Sequence, residues 1–321
     1  MLPPGVSMLW EDDDPAAALR GRFGFTGLTA VTGWLTTLLR GSWDLGAGPC
    51  SRLVLSGDGA VAWVCSDGGE QLVVKWSRAT DRFDRLDATT ATLEHLTGAG
   101  VPVAAPRRAR DGACRVRAAG PAGPLSTAVF PELAGDWLDV SDTAAVRDAG
   151  AWLARTHAAL ADLDDAVADR VPPRSDVPLP ERVGTWLTDG DPGHVLDASR
   201  RVAGLLATAP GPPGAPQVVH GDFRAANVLT REHRVVGVLD LDDAHRAHPV
   251  EDLAQACTYL TTRFRDWRPT PPQVRREFLA GYCAVRPLDA AERHWLELLA
   301  LWFGVCAVPG PGDAAGWAAA V

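Results

Sequence analysis

The chain has 321 residues, 46% of them hydrophobic and 22% charged, with a net charge of −9. That length suits one large domain or two lobes, and the composition is that of an ordinary soluble globular protein. The acidic balance argues against nucleic acid as the main partner, because phosphate backbones recruit basic surfaces.

The opening, MLPPGVSMLWEDDDP, lacks the basic and apolar regions of a secretion signal. Residues 14–40 read as mainly helical, with Val31, Trp34, Leu35 and Leu38 on one face. Three strands follow, CSRLVLS, AVAWVCS and QLVVKWS, separated by GDG and DGG, which are turn sequences of an antiparallel meander. A helix is expected from about Asp81 to Gly98, then two more strands around ACRVRAA and LSTAVF. The first part of the chain therefore predicts a five-stranded antiparallel sheet with one helix inserted after the third strand. FPELAGDW reads as a connector, and beyond it TAAVRDAGAWLARTHAAL, HPVEDLAQACTYLTTRF and DAAERHWLELLALWF read as helices. WLELLALWFGVCAVPG, the most apolar stretch, carries Glu297 and is too short to span a bilayer, so it is expected to be a buried helix. The expected fold class is α+β, with a β-rich lobe over residues 1–130 and a helical lobe over 131–321.

Six cysteines are scattered with no CxxC and no close pair, which predicts reduced, mostly buried thiols rather than a disulfide frame or a zinc site. The expectation is a cytoplasmic protein that engages no membrane.

Two features carry chemistry. Lys75, in QLVVKWS, is the only lysine among 31 basic Lys and Arg positions. A lysine is a compact point charge that reaches a narrow polar slot where an arginine fork does not fit; by itself the residue does not decide between function and chance. The second feature is VVHGDFRAANVLTREHRVVGVLDLDDAH, residues 218–245. A hairpin between Asn227 and Asp240 would fold Asp240 back beside Asp222 and Asn227. Two carboxylates and an amide oxygen, with room left for water, are what Mg²⁺ accepts, often together with substrate phosphates.

HGDFRAANVL followed by VLDLDDA resembles the catalytic loop and metal-binding aspartate of the aminoglycoside phosphotransferase and homoserine/choline kinase-like superfamily, which shares the bilobal protein-kinase fold. Gly221 stands where protein kinases have the arginine of their H-R-D motif. The resemblance implies that Asp222 accepts the proton of an attacking hydroxyl, and that Asn227 and Asp240 hold Mg²⁺ on the phosphates of ATP. It implies that Lys75, on the third strand, contacts the α- and β-phosphates and pairs with Glu94 of the following helix. It places Gly46 and Gly48 of GAGPCSRL in a nucleotide-covering loop, without the third glycine of the kinase pattern. The segment Phe130–Leu133 would meet the adenine edge.

The function so implied is ATP- and Mg-dependent transfer of the γ-phosphate to a hydroxyl of a small molecule, an aminoglycoside-like, homoserine-like or other amino alcohol. A Ser/Thr peptide or protein kinase on the same fold is the alternative, and a nucleotide-binding pseudokinase ranks last because Lys75, Asp222, Asn227 and Asp240 are all present. The helix HPVEDLAQA starts about ten residues after Asp240, which leaves little room for a segment on which a protein substrate docks. His220 reads as a scaffold for the loop rather than an acid or base. The run from Asp240 to His248 could supply a transition-metal site only in part, since a strand alternates its side chains. Asp252 reads as a first-turn or capping residue. The twelve tryptophans read as core, with no spacing that makes an aromatic cage.

Overall fold

A computed structural model describes residues 4–189, 195–310 and 312–321. The chain divides into two compact units, one comprising the chain to Gly98 with Val103–Ala134, the other Ala99–Pro102 with Gly135–Val321. The short stretch after the first unit's long helix thus belongs to the second unit.

The first unit is built on a six-stranded sheet of β1 (Gly5–Met8), β2 (Arg52–Ser56), β3 (Gly59–Cys65), β4 (Gln71–Ser77), β5 (Val116–Gly120) and β6 (Gly123–Pro131), in the order β1-β2-β3-β4-β6-β5. Five strands are antiparallel, as the turn sequences require. The sixth, β1, pairs parallel to β2 from Gly5 opposite Arg52 to Met8 opposite Leu55. Four residues carry too little alternation to announce a strand, and the partner lies far along the chain, so β1 is visible only in the fold.

Helices α1 (Pro15–Phe23) and α2 (Leu28–Leu38) cover one sheet face. Pro15 starts α1, the Asp14 carboxylate accepts the Ala17 N–H at 2.7 Å, and Gly24 closes the helix in the left-handed region at φ +75°. Leu19, Phe23, Val31 and Leu35 bury against Leu72, Val74 and Trp76 of β4. The Trp76 ring meets Phe23 edge-on at 6.2 Å and Trp34 at 5.3 Å. Helix α3 (Phe83–Gly98) takes the other face: Arg115 donates to Ser126 Oγ of β6 at 2.9 Å and to Thr90 Oγ1 of α3 at 3.3 Å.

The second unit is mainly helical: α4 (Thr143–Ala161), α5 (Asp165–Ala168), α6 (Leu179–Asp189), α7 (Leu196–Ala207), α8 (Pro249–Tyr259), α9 (Pro272–Val285) and α10 (Ala290–Cys306). Helices α4 and α9 cross closely because two glycines meet the opposing backbone. A Cβ on Gly150 would lie 1.9 Å from Phe278 O, and one on Gly281 only 1.8 Å from Arg147 O. Helix α10 is the expected buried helix, with Trp295, Leu298, Leu299 and Phe303 in the core. Among the described residues no helix is long and apolar enough to cross a membrane.

Two small sheets complete this unit, β7 (Asp136–Trp137) with β9 (Val228–Arg231) and β10 (Arg234–Val238), and β8 (Gln217–Val219) with β11 (His245–Ala247). FPELAGDW, expected to be only a connector, thus contributes a strand through its last two residues. All six cysteines are free thiols, but only Cys50 and Cys257 are buried and Cys306 is exposed, so scattering predicted pairing better than burial.

Candidate active site

Strand β8 delivers the chain into the loop His220–Arg224, a single helical turn carries Ala225–Asn227, and β9 leaves from there. The β9–β10 hairpin turns through Glu232 and His233, both at positive φ (49° and 66°), as a two-residue hairpin matching the strand twist requires. It returns the chain so that the Leu239 N–H donates to Asn227 O at 2.8 Å and the His220 Nε2–H donates to Leu239 O at 3.0 Å. Asp240 follows in the left-handed region at φ +62°. Asp222, Asn227 and Asp240 are thereby brought together, and the Asp240 charge is felt at Asp222.

The run after Asp240 is a turn, not a strand, with β11 starting only at His245; side-chain alternation therefore does not govern it. His245 Nδ1 donates to Asp243 O at 2.8 Å and so serves the turn itself. The His220 ring accepts the Asp222 N–H at Nδ1 (3.2 Å) while its Nε2 is engaged with Leu239. Both ring nitrogens brace backbone, which is the scaffolding geometry.

What fixes the loop is Asp252, in the first turn of α8. Its carboxylate accepts the backbone N–H groups of His220 (3.1 Å) and Gly221 (2.9 Å) and the His157 Nε2–H (2.9 Å). The other nitrogen of His157 meets the Tyr282 hydroxyl at 2.9 Å. Burial pushes the Asp252 carboxyl up, but the His157 hydrogen bond and the neighbouring imidazoles prevail and hold it at about 2. One turn on, Gln255 Nε2 donates to Gly221 O at 2.6 Å, and Arg174 Nη1 donates to Gln255 Oε1 at 2.6 Å.

Gly221 itself has φ +84°, and a Cβ there would lie 2.3 Å from Asp243 O. No side chain fits, which is why arginine is absent from this position. Asp252 is a first-turn residue of α8, as expected, but its carboxylate caps the loop at His220 and Gly221 rather than its own helix. Only the fold sets α8 against that loop.

Asp222 is three-quarters buried on its side chain. Burial pushes its carboxyl above the usual range; the Arg224 guanidinium, whose Nε donates to it at 2.9 Å, pulls the other way. Asn227 Nδ2 donates to Asp222 O (2.9 Å) and Oδ2 (2.8 Å), which turns its Oδ1 away from the loop. An amide oxygen and the Asp240 carboxylate are hard donors of the kind Mg²⁺ takes, and two of them leave most of its shell for phosphate oxygens and water. The donor set fits that ion.

Arg224 was not singled out in the sequence. It also lies 5.9 Å from the Trp267 ring, which clusters with Tyr259 (5.3 Å) and Trp317 (6.3 Å). These rings come from three separate segments, so no local spacing could have revealed the aromatic cluster.

In the first unit, Lys75 is the fifth residue of β4 and pairs in register with Val61 of β3 and Ala128 of β6. Ala128 shares a face with Ser126, which Arg115 links to α3, so Lys75 lies on the face that α3 covers. Glu94 is on α3, where its carboxylate pairs with Arg108 at 2.5 Å.

Gly46 and Gly48 lie elsewhere: Gly48 N–H donates to Cys65 O (2.8 Å), and the Asp67 N–H donates to Gly46 O (2.9 Å). Cys65 pairs with Gln71, four residues from Lys75 and about 13 Å along the strand. The turn at the Lys75 end of the sheet is instead Gly57–Asp58, between β2 and β3, where Asp58 O accepts the Arg78 N–H at 2.9 Å. Phe130 is on β6 opposite Val73, and Leu133 precedes the boundary between the units after Ala134.

An antiparallel sheet with one inserted helix, followed by a helical unit carrying an H-G-D loop and a returning hairpin aspartate, is the architecture of the kinase-like phosphotransferases. A family model described as the phosphotransferase enzyme family matches residues 53–299, and the chain belongs to that family. A homoserine kinase of Acidiphilium cryptum is 30% identical over 233 residues, covering 72% of this chain and 70% of that protein. Among solved structures, a spectinomycin phosphotransferase in complex with ADP and spectinomycin superposes with a TM-score of 0.62 at 13% identity, over 85% of this chain and 84% of that one. A microcompartment-associated aminopropanol kinase gives 0.58 at 18% identity, over 86% and 88%. The protein is an enzyme of the small-molecule kinase class.

Proposed function

We propose that the enzyme transfers the γ-phosphate of ATP to the hydroxyl of a small amino alcohol, with Asp222 as the base. The observation that carries this reading is the Asp222 carboxylate, partly buried and held by Arg224 and Asn227 on a loop whose backbone is fixed by Asp252. The acceptor hydroxyl donates to Asp222. As its oxygen bonds to phosphorus, the proton passes to the carboxylate and the bond to the ADP oxygen breaks. Asp222 then returns the proton to solvent. Such reactions depend mainly on positioning and charge neutralisation, and base assistance contributes on the order of 10²–10⁴-fold.

Asn227 and Asp240 would hold Mg²⁺, which when bound neutralises charge on the transferring phosphate. Lys75 is assigned to the α- and β-phosphates, with Glu94 to orient it once Glu94 leaves Arg108. The Gly57–Asp58 turn suits the phosphate-covering role better than Gly46 and Gly48, because it lies at the Lys75 end of the sheet. Phe130–Leu133 is assigned to the adenine. The homoserine kinase relative and the aminopropanol kinase and spectinomycin phosphotransferase neighbours support a small amino-alcohol acceptor.

The test is transfer from labelled Mg·ATP to separate pools of aminoglycosides, homoserine, choline-like alcohols, amino sugars and Ser/Thr peptides, with Asp222→Asn as control. A labelled small molecule that disappears in the variant supports the proposal. Label in the peptide pool alone overturns the acceptor class, and equal turnover by the variant overturns the base.

A further inference from the structure

A cavity of about 340 Å³ opens in the helical unit between α7, α8, α9 and α10, apart from the residues assigned above. Arg201, Arg275 and Arg293 line it together with the side chain of Glu297, in a chain of net charge −9. Leu279, Ala300 and Leu301 supply partly exposed apolar wall, while Leu296 and Trp317 in the same lining are themselves buried. Its size is at the small end of ligand sites.

The arginines are what make the cavity unusual. Three other guanidinium groups of this unit each meet a carboxylate: Arg182 meets Glu251, Arg286 meets Glu292 and Arg147 meets Glu277. Here Arg275 Nε is buried with no hydrogen-bond partner. Among the described residues neither Arg201 nor Arg275 has an acidic partner, and Arg293 reaches only the backbone oxygen of Leu288. A buried donor left unmade is costly, and a guanidinium fork matches a carboxylate with two parallel bonds.

We propose that this cavity binds a small molecule with a carboxylate on a hydrocarbon body. Arg275 holds the carboxylate with Arg201 and Arg293 around it, and the hydrocarbon lies on Leu279 and Leu301. A bare inorganic anion would leave that apolar wall in water. The site is connected to the reaction centre: Trp317 Nε1 donates to Trp267 O at 3.3 Å, and the Trp267 ring faces Arg224, the partner of Asp222. The ligand is therefore either the acceptor or an effector beside it, and the carboxylate is common to both.

Binding is read without turnover, so its failure leaves the phosphoryl-transfer reading standing. Ligand-observed NMR on the full chain compares hexanoate, hexanamide and inorganic phosphate. Hexanoate is expected to bind at least tenfold tighter than the other two. Arg275→Met is expected to weaken it at least tenfold and Asp222→Asn to leave it unchanged. Arg201→Met, at an exposed position on α7, is the second variant should Arg275→Met fail to fold, with the same direction of effect. Hexanamide or phosphate binding as tightly as hexanoate, or hexanoate binding undiminished in the folded arginine variants, overturns the proposal. With 6-hydroxyhexanoate and Mg·ATP, ATP consumption that depends on Arg275 marks the bound molecule as acceptor; binding without consumption marks it as effector.

Discussion

The Asp252 carboxylate accepts the Gly221 N–H at 2.9 Å, and through that bond α8 positions the loop that presents Asp222. Removing the carboxylate leaves two buried backbone donors and His157 without their acceptor. Asp252→Ala is expected to destabilise the protein by about 3–5 kcal/mol, the cost of breaking a buried charged network. Urea unfolding measures this directly, and a change under about 1 kcal/mol would refute the anchoring role.

The same carboxyl predicts an acid-dependent stability. Its pKa is depressed in the folded protein to about 2, against about 3.9 unfolded. Its contribution, roughly 2–3 kcal/mol, is therefore complete above the unfolded value and lost as pH falls through the folded one. Between about pH 5 and pH 2 the wild type should lose more stability than Asp252→Asn does. Parallel curves for the two proteins would show that the carboxyl is not depressed.

Gly221 admits no side chain. Gly221→Ala combines a left-handed backbone at φ +84° with a contact of 2.3 Å to Asp243 O. An expected cost of about 2–5 kcal/mol follows from conformational strain and overpacking together, with transfer activity falling as the loop shifts. A crystal structure of the variant with the loop unmoved would contradict this.

Burial raises the Asp222 pKa while Arg224 lowers it. A raised carboxyl works as a base only above its folded pKa, so the acid limb of kcat/KM should lie above the ordinary carboxylate range. Arg224→Ala removes the lowering charge and should move that limb to still higher pH. The pH–rate profiles of the two enzymes decide it: a limb that stays put, or moves to lower pH, is incompatible with the pairing.

Glu94, proposed above to orient Lys75, is paired with Arg108 in the structure. The Glu94–Arg108 pair is partly exposed, so its loss should cost little stability, within about 1 kcal/mol. Arg108→Ala is expected to leave the melting temperature nearly unchanged while lowering KM for ATP, because Glu94 no longer has to be released. A raised KM would show that Arg108 itself serves the nucleotide.

What the sequence determined by itself were the features set by local chemistry. The turns GDG and DGG and the alternating strands specified five of the six strands in the first unit's sheet, because period-two burial and turn residues act over a few positions. The spacing from Asp222 through Asn227 to Asp240 specified a returning hairpin, and Leu239 on Asn227 closes it. Tertiary structure decided what depends on partners distant in the chain. Strand β1 exists only through its pairing with β2. Gly46 and Gly48 looked like a phosphate loop until their pairing with Cys65–Asp67 set them at the other end of the sheet. Asp252 read as a first-turn or capping residue; it does lie in the first turn of α8, and the fold gave its carboxylate to Gly221. Tyr259, Trp267 and Trp317 have no common period and meet only because α8, a loop and the chain's last residues converge. In each case the deciding contact joins segments whose separation carries no periodic signal, so burial and hydrogen-bond satisfaction in the folded chain, rather than local propensity, assign the role.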